Sequence, residues 1–161
     1  PAISEPHRGE GIVFRPPHEP GKHYVKRLLG IPGDTIEMKG KRLFVNGDEV
    51  KEPSARYLDP DGDAVHPSMR WQETYLRRGA KLGGYRPSRD NWGPLVVPAA
   101  RFFVLGDNRD NSEDSRYWGF VLRGDIEGRP WFVYYSSEPP ESGGFSFLRD
   151  VRWERIGGLI R

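Results

Sequence analysis

A lysine in the middle of an apolar strand pattern is the first residue with chemical potential. Lys26 lies within Tyr24-Val25-Lys26-Arg27-Leu28-Leu29, and lysine is seldom placed among apolar neighbours without a reason. Two readings stand side by side. Lys26 can be an edge-strand gatekeeper, whose charge blocks pairing with other chains. It can also be a desolvated lysine, whose pKa falls because burial disfavours the ammonium form. A neutral lysine can take the proton of a serine hydroxyl, the serine-lysine counterpart of a serine-histidine pair. The densest polar feature is Gly106 to Gly119, GDNRDNSEDSRYWG, directly behind the apolar run RFFVL. As a calcium loop it fails. Counting from Asp107 puts Arg109 at a ligand position, and counting from Asp110 puts no glycine sixth and Val121 twelfth. Asp, Asn, Gly and Ser also suit a solvated turn, but alternating acids and arginines between two glycines are more elaborate than a turn needs. The remaining reading is a pre-organised site, in which Asp and Arg pairs fix the backbone and aim one small side chain into a cleft.

Other candidates are weaker. Asp59, Asp61 and Asp63 lie in DPDGD, a loop sequence without the remaining ligands of a metal site. His7, His18, His23 and His66 show no helical zinc-binding spacing. With no cysteine there is no disulfide framework, thiolate metal site or cysteine nucleophile. Twenty-five basic against 23 acidic residues leave a net charge of +2, which does not call for nucleic acid. No apolar run approaches the about 18 residues of a spanning helix.

The elements that must position Lys26 and the Gly106 loop read as β. The length of 161 residues fits one domain, and 20 Gly with 15 Pro suggest an irregular β protein with long loops. Strands are expected at Ile12 to Phe14, His23 to Leu29 and Thr35 to Met38, the last two separated by the turn Pro32-Gly33-Asp34. Leu43 to Val45 meets Asn46-Gly47, a hairpin signal, with return through Glu49 and Val50. From 52 to 88 the pattern dissolves into a long inserted excursion, with room for one surface helix between Ser68 and Arg78. Strand character returns at Leu95 to Val97, Phe102 to Leu105 and Trp131 to Tyr135, the last expected to be fully buried. A solvated loop over Ser136 to Gly144 and a strand pair within Phe145 to Leu159 complete the pattern.

Three stretches together, RGEGIVF at Arg8 to Phe14, YVKRLLGIPGDTIE at Tyr24 to Glu37 and GDNRDNSEDSRYWGFV at Gly106 to Val121, resemble consecutive boxes of bacterial type I signal peptidases. LFVNG at Leu43, DNWGPLVVP at Asp90 and RIGGLI at Arg155 extend the likeness to most of the chain outside the excursion. The resemblance implies a mostly β, signal-peptidase-like architecture with little helix, residues 1–161 being one catalytic domain interrupted by the excursion 52–88. It implies a serine endopeptidase with a Ser/Lys dyad that removes signal peptides from secreted preproteins. The expected place is the outer face of the bacterial cytoplasmic membrane, beside the lipid surface, with no cofactor, metal or nucleic acid. By the same resemblance Lys26 is the general base and Ser112 orients it. Val13, His23, Tyr24 and Val25 line the shallow pockets for the substrate, an extended peptide added by strand pairing. Arg27, Asp107, Asp110, Asp114 and Arg116 are scaffold, and Gly106 allows close approach.

One box of the family does not match. Its nucleophilic serine belongs to a serine-methionine-x-proline segment ahead of RGEGIVF, and Ser68-Met69 is a decoy that follows the lysine and lacks the proline. The expectation is therefore a catalytic domain truncated at its N-terminus, inactive alone, in which Lys26 is partly exposed and titrates closer to an ordinary lysine. The alternative is an inactive scaffold or assembly protein of the same fold.

Overall fold

β7, Arg101–Leu105, shows how the sequence builds this molecule. Its residues alternate between two cores, Phe102 and Val104 in one and Phe103 and Leu105 in the other, which is the period of two that a strand buried on both faces requires. The computed structural model describes residues 5–60, 62–80 and 83–130. The expected strand Trp131 to Tyr135, the loop Ser136 to Gly144 and the strand pair within Phe145 to Leu159 lie outside them.

Two antiparallel sheets frame the cores. β1 (Gly11–Phe14), β2 (Tyr24–Gly30), β7, β8 (Val121–Leu122) and β9 (Ile126–Gly128) form the order β8-β7-β2-β1-β9. β3 (Thr35–Lys39), β4 (Arg42–Val45), β5 (Asp48–Glu49) and β6 (Trp92–Val96) form β5-β4-β3-β6. The smaller core holds Ile12, Phe14, Leu28, Val104 and Ile126, and the larger holds Leu29, Ile36, Met38, Leu95, Phe103 and Leu105. Neighbours Leu28 and Leu29 thus enter different cores, as strand alternation dictates.

The first fifty residues do not form one continuous meander: β1 and β2 pair in one sheet, and the chain then crosses to the other, where β3, β4 and β5 pair in sequence. Asn46 and Gly47, at φ 54° and 92°, make the tight turn between β4 and β5. At Gly30 a Cβ would lie 2.9 Å from the Phe103 Cβ and 3.0 Å from Val97, so a glycine lets β2 and β7 close on each other. The excursion departs from its expected character. Its helix is a 3-10 helix, Pro67–Tyr75, capped by His66, and it is no mere surface element: Met69 and Gln72 are fully buried. Met69 enters the larger core, with Trp71 and Tyr75 packed against it. A single apolar residue flanked by polar ones gives no periodic signal, so the sequence pattern understated this contact. No helix among the described residues is long and apolar enough to cross a membrane.

Candidate active site

Lys26 Nζ donates to Ser112 Oγ at 2.9 Å across 86 residues of sequence. Three elements produce that contact. β2 carries Lys26 on the same face as Tyr24 and Leu28, toward the smaller core. β7 runs beside it in register Arg27↔Leu105 and then ends at Gly106, where the chain turns under the lysine. α1, Ser115–Trp118, a single turn capped by the Asp114 side chain, closes the loop that presents Ser112. Gly106 is pressed against this pair: a Cβ there would collide with the Ser112 hydroxyl, lie 2.6 Å from its Cβ and 3.5 Å from Lys26 Nζ.

Burial pushes the Lys26 ammonium below the ordinary lysine range, opposed by Asp114, Glu113 and Asp107 and helped by Arg116. The expectation that Lys26 would be partly exposed holds. The described residues already desolvate the amine in part, which is the cause of its lowered pKa. The Tyr24 ring lies 5.8 Å from Nζ.

The charged residues of the loop divide into two groups. Arg27 Nε and Nη2 each donate to Asp107 at 2.7 Å, tying β2 to the loop. Asp114 and Arg116 are wholly buried; Arg116 Nε and Nη2 donate to Asp114 at 2.8 Å, and Asp114 accepts the Gly106 amide at 3.1 Å. Asp110 faces elsewhere. It accepts from Lys41 Nζ at 3.1 Å and from the Asp59 amide at 2.7 Å, so it secures the excursion to the loop. Arg109, absent from the expected site, is fully buried and donates twice to Glu52, at 2.6 and 2.7 Å. Its sign in the sequence was only an arginine among acids, and the partner is 57 residues away.

The expected substrate wall is split by the strand period. Val13 and Val25 are directly paired between β1 and β2, and Val25 is 54% exposed. They lie on the face opposite Tyr24 and Lys26. His23 precedes β2, exposed, with Nε2 3.0 Å from Glu127. β1 pairs the whole stretch Tyr24 to Arg27 along one edge, whereas β7 pairs the other edge only from Arg27 onward. Among the described residues, the β7-side edge of Tyr24 to Lys26 therefore has no strand neighbour. A cavity of about 490 Å³ opens beside Ser112, lined by His18, His66, Asn111, Glu113 and Trp118 among others, and by none of Val13, Tyr24, Val25 and Lys26. Among the described residues no cluster of His, Asp and Glu could hold a metal.

Comparison with known proteins shows the family. The family model described as signal peptidase, peptidase S26, matches residues 1–135. Signal peptidase I P of Bacillus subtilis subsp. natto is 42% identical over 129 residues, covering 80% of this chain and 59% of the relative. Signal peptidase I of Pseudomonas fluorescens is 35% identical over 156 residues, covering 86% and 52%. The chain thus spans between half and three fifths of these relatives' length. The solved signal peptidase I of Enterococcus faecalis V583 superposes with a TM-score of 0.52 at 29% identity, covering 80% of this chain and 99% of that one. A family match over most of the sequence, relatives at 35 to 42% identity and a solved signal peptidase I of similar fold lead to one conclusion: the chain belongs to the signal peptidase, peptidase S26, family.

Proposed function

We propose that this chain is the part of a signal peptidase I that carries its general base, Lys26, oriented by Ser112. The reaction is hydrolysis of the peptide bond between a signal peptide and a secreted preprotein. The single observation that carries the reading is the 2.9 Å contact of a desolvated lysine amine with the serine of GDNRDNS. A neutral Nζ takes the proton of a nucleophilic serine hydroxyl as that oxygen attacks the scissile carbonyl. The resulting ammonium gives the proton to the departing amine, and the freed amine then activates water against the ester. Ser112 holds Lys26 and does not attack. The nucleophile is the serine that the family carries ahead of the RGEGIVF segment.

The bare edge of Tyr24 to Lys26 suits an extended peptide, which would add to β2 as a strand, with alternate side chains sized by Tyr24 on one face and by Val13 and Val25 on the other. His23 borders the start of that edge. Residues after the cut would pass Ser112 into the adjoining cavity. Substrates of this kind emerge from a lipid bilayer, and the reaction we propose takes place at the outer face of the bacterial cytoplasmic membrane.

The test uses the full-length protein and a purified preprotein. Lys26→Ala is expected to fold and to lose about a hundredfold or more in rate, the contribution of a positioned base. Lys26→Arg should fail equally, because guanidinium keeps its proton. Cleavage by folded Lys26→Ala at the wild-type rate would refute the mechanism.

A further inference from the structure

The excursion 52–88 grips the loop that carries Ser112 at several points. Arg56 donates its amide to the Asp107 carbonyl at 2.8 Å and accepts the Arg109 amide at 2.9 Å, so this stretch lies along the loop as a parallel bridge. Asp59 donates its amide to Asp110 at 2.7 Å. Trp71 Nε1 and Gln72 Nε2 both donate to the Arg116 carbonyl, at 3.1 and 3.0 Å. At the centre is Glu52, whose two oxygens accept from Arg109 Nη1 and Nη2, while Arg109 Nε donates to the Gly106 carbonyl at 2.9 Å. Gly106 is the residue against which Lys26 and Ser112 meet with no room to spare.

From this chain of contacts we infer that Glu52 is a positioning residue for the base: through Arg109 it fixes the Gly106 carbonyl, and thereby the Lys26–Ser112 contact. The inference rests on the peptidase reading of that pair. A solvated loop could not do this. Arg109 is a fully buried cation, and among the described residues Glu52 is the carboxylate that pairs with it. A bidentate pair of this kind defines both the position and the plane of the guanidinium, and so the direction of Nε. The Gly106 peptide is held from both sides, its carbonyl by Arg109 and its amide by Asp114. Without Glu52, Arg109 must seek another partner or water, and the Gly106 turn is free to move away from β2. Water then reaches Nζ. The charged groups that face Lys26 are Asp114, Arg116, Glu113 and Asp107, and the buried Asp114–Arg116 pair does not depend on Glu52. Renewed contact with water moves Lys26 back toward an ordinary lysine.

The experiment compares Glu52→Gln and Arg109→Lys with wild type in the full-length protein, recording kcat against pH on a peptide substrate. Arg109→Lys keeps a buried cation for Glu52 and loses the donor to Gly106. Both variants should show the rising limb of kcat displaced to higher pH, with a loss of about tenfold at neutral pH that shrinks as pH rises and KM nearly constant. A clamp that serves only folding would lower the active fraction equally at every pH. An undisplaced limb in both folded variants, or failure of both to fold, overturns the inference. Direct titration of Lys26 Nζ by NMR in wild type and variants separates this from failure of the peptidase reading. If wild type cleaves nothing, that titration alone decides, and an identical Lys26 curve in all three proteins overturns the inference.

Discussion

At the scale of single residues the site depends on a glycine as much as on the groups that react. Gly106 has a negative φ and no conformational need to be glycine; it is required because a methyl there would occupy the space of Ser112. Gly106→Ala is therefore expected to fold and to lose about a hundredfold in kcat, the loss that about 1 Å of misplacement brings, with KM less affected. A Gly106→Ala enzyme at full rate would show that the loop yields freely. The lowered pKa of Lys26 sets the direction of the pH dependence. The base form gains as pH rises through a value below that of free lysine, so kcat climbs along that limb. Stability follows the same sign. The folded state binds fewer protons than the unfolded chain between the depressed and the ordinary pKa, so stability increases with pH across that window and is lost below it. Lys26→Met should remove this gain and be the more stable protein at neutral pH, which denaturant melts at pH 7 and pH 10 would reveal.

At the scale of elements, strands were legible and the excursion was not. Val-, Ile- and Phe-rich runs between turn residues locate β1 to β4 and β7 to within a residue, because alternation and punctuation are local signals, whereas β6 begins three residues before its expected Leu95. β9 was missed: Ile126–Gly128 holds one apolar residue, and only its pairing with β1 makes it a strand. α1 was missed for a similar reason, being four residues that exist because Asp114 caps them. The excursion reads as loop because its interactions are single residues reaching distant partners. Met69 tests this view. Met69→Ala in the full-length protein should cost about 2 to 5 kcal/mol in chemical denaturation, as for a fully buried core side chain. A change below about 0.5 kcal/mol would return the segment to the surface role its sequence suggests.

At the scale of the whole molecule, the family and the Lys26–Ser112 pair were visible because three boxes in order constrain one another, while the buried ion pair joining the third box to the excursion was not. No sequence pattern connects Glu52 with Arg109, since long-range charge pairing leaves no period. The two cores share two strands: β2 and β7, neighbours in one sheet, each give side chains to both, so Lys26 is carried on a strand anchored in both cores. That strand begins, on the β7 side, with a stretch of backbone from Tyr24 to Lys26 that has no strand neighbour among the described residues. Any extended chain is a fitting companion for such an edge, including another copy of the same protein, and what ordinarily repels a copy is a charged side chain in its midst. Here that side chain is Lys26, which the proposed mechanism requires in its uncharged form. On that proposal the state ready to cut is also the stickiest one, and a peptide-like inhibitor that seals the edge would keep the protein apart from its own kind as well as from its substrate.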